Sequence, residues 1–143
     1  MSRADVERID DQGIAAWDNH DADAFANLLA DDFVWTDHTL PEPMRTKEEA
    51  RQYAQAWFTA FPDMRIKETN RIVTDDAVAV ELEFTGTNTG LMTMAGREIP
   101  PTGKTVLGKG AFFARIQDGK IVQFSSHPDV AGLMMQLGFM PQM

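Results

Sequence analysis

The spacing of hydrophobic positions changes character partway along the chain. Over residues 4–17, Val6, Ile9, Ile14 and Trp17 recur at three-to-five-residue steps, one stripe of an amphipathic helix that Gly13 weakens locally. Asn19, His20 and Asp21 interrupt the stripe, and Asp21 or Asp23 is placed to cap a short second helix carrying Phe25, Leu28 and Leu29. Phe33, Val34 and Trp35 read as a first strand, left through the turn-rich residues 37–43. Thr46 and Glu49 then form a capping box. The helix it starts has Ala50, Tyr53, Ala54, Trp57, Phe58 and Phe61 on one face, and Pro62 stops it.

After Pro62 the period becomes two. Met64, Ile66 and Ile72 belong to a second strand, and Asp75-Asp76 makes a turn. Val78, Val80, Leu82 and Phe84 alternate with Ala79, Glu81, Glu83 and Thr85, which predicts a strand with one buried face and the glutamates turned outward. Residues 87–103, rich in Gly, Thr and Pro, read as a long excursion. Residues 104–116 form a fourth strand, in which Gly108 and Gly110 permit a bend or a bulge. Asp118-Gly119 is a hairpin turn, residues 121–126 a fifth strand, and residues 130–137 a last helix closed by Gly138. Helices first and antiparallel strands afterwards imply an α+β fold. The sheet is expected to bend strongly into a cone, with the N-terminal helices in its concave side, a short C-terminal helix and an enclosed apolar pocket.

Composition narrows the class. The chain has 143 residues, 43% hydrophobic and 24% charged, which suits one globular domain over residues 1–143 with a core that needs no staple. With no cysteine, disulfides, cysteine-ligated zinc and thiol nucleophiles are excluded. The net charge of −9 argues against nucleic acid or an anionic membrane as a partner. Residues 1–11 are polar and acid-rich rather than patterned as a signal peptide, and no apolar run reaches spanning length, so a cytoplasmic protein is expected. There is no glycine-rich phosphate loop and no Gly-x-Ser-x-Gly elbow.

Six short motifs carry a resemblance: 32–35 (DFVW), 61–63 (FPD), 86–90 (GTNTG), 101–103 (PTG), 118–122 (DGKIV) and 129–138 (DVAGLMMQLG). In this order they resemble SnoaL-like proteins, the polyketide-cyclase and ester-cyclase branch of the cone-shaped superfamily named after nuclear transport factor two. The resemblance covers almost the whole chain. It implies acid/base catalysis of an intramolecular ring closure by an aspartate just before the last helix, here Asp129, with no metal or organic cofactor. It also implies a homodimer formed through the sheet. Two positions depart from the pattern. Asn88 stands where many relatives have histidine, and Ser125 where many have tryptophan.

The candidate chemistry follows from these positions. A carbon acid needs a base beside a polarised carbonyl and a donor for the enolate oxygen. Asp129 is the candidate base, and as an aspartate ahead of a helix it is equally a cap. His127, two residues earlier, is a candidate donor. His38, after the first strand, is a second; Asp37 beside it ranks lower, because aspartate near prolines is ordinary turn chemistry. Arg115 is the candidate for a further polar catalytic group. Trp17, Trp35, Trp57, Leu82, Phe84, Phe112 and Met134 are the candidate pocket lining, and equally candidate core. Tyr53 reads as packing. The expected activity is that of a cofactor-independent cyclase, isomerase or lyase acting on a small, largely apolar carbonyl compound. The alternatives are a noncatalytic ligand-binding or dimerisation module, and an epoxide hydrolase with an arginine held between two carboxylates. Asp37, His38 and His127 show no metal-binding spacing, so no metal is expected.

Overall fold

Two capping boxes begin the long helices of the computed structural model, which describes residues 1–94 and 96–140. Ser2 accepts from the Asp5 amide while the Asp5 carboxylate accepts from Ser2, starting α1 (Arg3–Asp18). Thr46 and Glu49 do the same for α3 (Lys47–Ala60), as the sequence predicts. Between them lie α2 (Ala22–Ala26), capped by Asp21, and β1 (Leu29–Asp37). Leu28 and Leu29 fall outside α2, and Leu29 already opens the strand.

The remaining elements are β2 (Arg65–Val73), β3 (Ala77–Thr87), β4 (Met92–Met94), β5 (Arg97–Ile99), β6 (Thr105–Gln117), β7 (Lys120–Pro128) and α4 (Val130–Leu137). The main sheet has the order β1-β7-β6-β3-β2. It is curved and unclosed, with α1 to α3 against its concave face. Most pairings are antiparallel, but β1 pairs with β7 in parallel, which the expected all-antiparallel sheet did not include. A parallel pair needs a crossover, and here most of the domain supplies it. The excursion over residues 87–103 also holds a small hairpin, β4 with β5, that its Gly, Thr and Pro content concealed.

Gly108 and Gly110 do not make a bulge. The β3–β6 register runs unbroken from Ala77↔Arg115 to Thr87↔Thr105. The Phe84 ring lies over Gly108 where a Cβ would stand, so this glycine makes room for an aromatic side chain. Asp118 and Gly119 both have positive φ, 50° and 78°, as a tight hairpin turn requires.

The core forms two clusters that share Trp17. One gathers Val6, Ile9, Phe25, Trp35, Phe112 and Phe124 beneath α1 and α2. The other gathers Phe58, Phe61, Met64, Phe84, Leu133 and Leu137 between α3 and α4. Asn88 is fully buried and pins the excursion to the end of α3. Its Nδ2 donates to the carbonyls of Ala60 (3.1 Å) and Gly90 (3.0 Å), and its Oδ1 accepts from Thr102 N (2.9 Å) and Oγ1 (3.0 Å). No helix among the described residues is long and apolar enough to cross a membrane.

Candidate active site

A cavity of about 120 Å³ lies between α1, α3 and the concave sheet. Its wall is almost wholly apolar, and Trp17, Trp35, Trp57, Leu82, Phe84 and Phe112 all contribute to it. Met134 does not; it packs with the α3–α4 core.

Two buried carboxylates stand in this wall, Asp10 and Asp37, and Asp37 is the one held by neutral donors. Asp37 ends β1 with only 2% of its surface exposed. Tyr53, from α3, donates its hydroxyl to Asp37 Oδ2 at 2.7 Å. The Ser126 hydroxyl, from β7, donates to the same oxygen, while Trp35 Nε1 donates to Ser126 Oγ at 2.8 Å. Thr39 donates to Oδ1 from both its amide (2.8 Å) and its hydroxyl. No ion pair reaches Asp37 among the described residues. Burial, and after it the Asp37 charge, push the Tyr53 phenol far above its ordinary range, so it stays protonated and donates.

The parallel pairing builds this arrangement. The register Asp37↔Ser126 sets the end of β1 beside β7, and strand alternation turns Trp35, Asp37, Phe124 and Ser126 to the same inner face. The next residues face outward. His38 and His127 stack with ring centres 4.0 Å apart, His127 Nε2 contacts Ser125 Oγ at 3.1 Å, and Phe113 meets the His127 ring edge-on. His127 reaches the cavity rim, whereas His38 does not line it. Burial, followed by His38, lowers the His127 pKa below its ordinary value, which favours the neutral imidazole.

Asp129 lies outside the cavity lining. It is exposed, and its Oδ1 accepts from Gly132 N at 2.9 Å as the N-cap of α4. Arg115 is exposed on β6, across from Ala77 and Gln123, and is also outside the lining. Of the four residues that the sequence put forward for chemistry, the structure brings His38 and His127 together and leaves Asp129 and Arg115 outside the cavity lining. It gives the buried position instead to Asp37, with Tyr53 beside it. The available signal was the combination of a strand-end aspartate with a tyrosine on the apolar face of the following helix.

A second group of acids lies at the α1–β2 side. Asp10, which lines the cavity, Asp11 and Glu68 bring carboxylate oxygens within 4.8 Å of one another, a grouping that sequence spacing did not reveal. Arg71 occupies the cluster, at 3.2 Å from Asp10, 2.7 Å from Asp11 and 3.6 Å from Glu68. It is an arginine between carboxylates, but Arg71 does not line the cavity and Asp11 is exposed. Glu68 Oε2 is sealed without a partner. Burial first and Asp10 second push the Glu68 pKa up to about 8. Protonated, Glu68 has a proton to offer the neighbouring Asp10 carboxylate.

The family profile described as SnoaL-like polyketide cyclase matches residues 7–137. Among solved structures, AclR from Streptomyces galilaeus is 22% identical with a TM-score of 0.85, over 99% of this chain and 86% of that one. TsrD from Streptomyces laurentii is 23% identical with a TM-score of 0.82, over 98% of this chain and 99% of its own. IdmH from Streptomyces antibioticus is 25% identical with a TM-score of 0.71, over 92% and 97%. No curated protein matches the sequence. The profile spans nearly the whole domain, and the chain belongs to the SnoaL-like polyketide cyclase family.

Proposed function

We propose that the protein is a cofactor-independent acid/base enzyme of the cyclase, isomerase or lyase type, acting on a small, largely apolar carbonyl compound with Asp37 as the base. The observation that carries this reading is a buried carboxylate in an apolar cavity wall, bonded to neutral donors and, among the described residues, to no cation. A carboxylate offers about four acceptor positions, and here Tyr53, Ser126 and the two Thr39 donors take them. One donor must leave before Asp37 can accept a proton from carbon. The departing hydroxyl is then free to donate to the enolate oxygen that forms.

The test needs no natural substrate. In heavy water, the protein should accelerate deuterium incorporation into the methyl group of acetophenone or 4-acetylbiphenyl, read by proton NMR. Asp37→Asn should return both rates to the buffer value. Equal rates for the wild type and Asp37→Asn would sink the assignment.

A noncatalytic ligand-binding module is the second reading, favoured by the small cavity and by Asp129 serving as a cap. It predicts ketone binding with no exchange above buffer. A homodimer through the outer sheet face is part of the proposal. Supporting it are Phe113, 55% exposed, and Ile72, 66% exposed, which share one row across β2, β3 and β6. Sedimentation should show a dimer that Phe113→Glu splits; a wild-type monomer refutes it.

A further inference from the structure

The cavity is small for the chemistry proposed. Ordinary ligand sites hold about 300–1,000 Å³. A space of about 120 Å³ is nearer to the dry engineered cavity of about 150 Å³ that admits a single benzene ring. A second space lies directly behind one wall. It is a groove of about 340 Å³ between α3, residues 39–44 and the β4–β5 hairpin. Tyr53 and Trp57 line both spaces, so one layer of side chain separates them.

Three features suit this layer to movement. Tyr53 Oη donates to Asp37, and its ring meets Trp35 edge-on at 5.1 Å. Trp57 is only half buried and touches Phe61 and Phe84 at the looser centroid distances of 6.2 and 5.8 Å. The groove's far side carries Met44, Met92 and Met94, unbranched thioethers that change shape at little cost. Glu49, the acid in the groove, is already bonded to Arg45 and Thr46 at the start of α3, which leaves the groove mainly apolar.

The geometry points to Tyr53 and Trp57 as a movable partition, the groove behind them holding the apolar remainder of a substrate whose carbonyl end enters the cavity. This rests on the carbonyl reading above and adds a substrate class: an elongated ketone with at least two rings or their equivalent length. It also couples recognition to chemistry. The Tyr53 hydroxyl that closes the partition occupies a lone pair of the proposed base, so a ligand long enough to displace Tyr53 also frees Asp37. A one-ring ketone fits without disturbing that bond, so its exchange waits on the latch opening unaided and runs slower than that of the longer ketone.

Binding tests this independently of turnover. Calorimetric titration would compare acetophenone with 4-acetylbiphenyl on the wild type, on Ala56→Trp and on Tyr53→Phe. Ala56 lines the groove but not the cavity, and it is half buried, so a larger side chain fills the groove with little demand on the core. The expectation is that 4-acetylbiphenyl binds the wild type more tightly, and that Ala56→Trp weakens it roughly tenfold while leaving acetophenone within about twofold. Tyr53→Phe should tighten 4-acetylbiphenyl severalfold by removing the latch. The groove is no part of the site if the two ketones bind the wild type equally, or if Ala56→Trp affects both alike or neither. Unchanged or weaker two-ring binding in Tyr53→Phe removes the latch. A failed exchange experiment with Asp37→Asn leaves all these binding results standing, so the two readings fail separately.

Discussion

Asp37 and Asp129 make a controlled comparison. Asp37 is the last residue of β1 and Asp129 the first after β7, the two strands are parallel neighbours, and both residues therefore lie toward the same end of the sheet. Asp37 faces inward and is sealed, satisfied by hydroxyls and an amide. Asp129 comes after Pro128, faces solvent and spends its carboxylate on the first turn of α4. What separates a candidate base from a helix cap is which face the strand's last residues present. That is a property of the pairing, not of the aspartate.

The largest effect should come from exchanging each aspartate for asparagine. Asp37→Asn should lower ketone exchange by about 10²–10⁴-fold, whereas Asp129→Asn should leave it within a few-fold; the reverse order would restore the base to Asp129. Stability should separate them next. Asp37→Ala strands the four donors supplied by Tyr53, Ser126 and Thr39 and should cost on the order of 3 kcal/mol in urea unfolding, against about 1 kcal/mol for Asp129→Ala, the loss of one cap. A smaller cost at Asp37 would mean its donors find water.

Glu68 shows what burial does where neutral donors are missing. Its folded pKa of about 8 exceeds the ordinary 4.5, so the folded state retains a proton that the unfolded chain releases. Stability from this group is complete below 4.5 and is lost as the pH rises to about 8. Glu68→Gln should therefore gain in melting temperature over the wild type between pH 5 and pH 8, and a constant difference would contradict the protonated acid. The smallest effect is spectroscopic. Asp37 is an attractive charge for His127, opposing the burial and the His38 charge that lower its pKa. In Asp37→Asn the NMR midpoint of His127 should fall further, and in Asp129→Asn it should not move. Because the His127 pKa is lowered, its stabilising contribution is present above 6.5 and lost as the pH falls through the lowered midpoint.

Much of the fold was legible because local chemistry repeats what tertiary packing requires. The Thr46–Glu49 box, the β3 alternation, the Asp118-Gly119 turn and Gly138, with its φ of 89°, each state an element boundary in a few residues. The β4–β5 hairpin was not legible, because strands of three residues are too short to show a period. The parallel β1–β7 pairing was invisible for a different reason: register between distant strands leaves no local mark. That single fact hid the inward turn of Asp37, whose prolines and threonine read as loop chemistry, and it hid the partner of Tyr53. Asp129 carried the family's motif and the signature of a cap together, and sequence alone had no means of dividing them.

The same pairing has a consequence for assembly in time. Asp37 meets Ser126, and Trp35 meets the same serine, across 89 and 91 residues of chain. Contacts of such separation close late, since loop closure precedes any gain from them. During synthesis β1 emerges among the first elements and must wait, with Phe33 and Trp35 uncovered, until β7 leaves the ribosome. β1 therefore stays unpaired while the residues that separate it from β7 are made, and the walls of the cavity close only when that pairing forms.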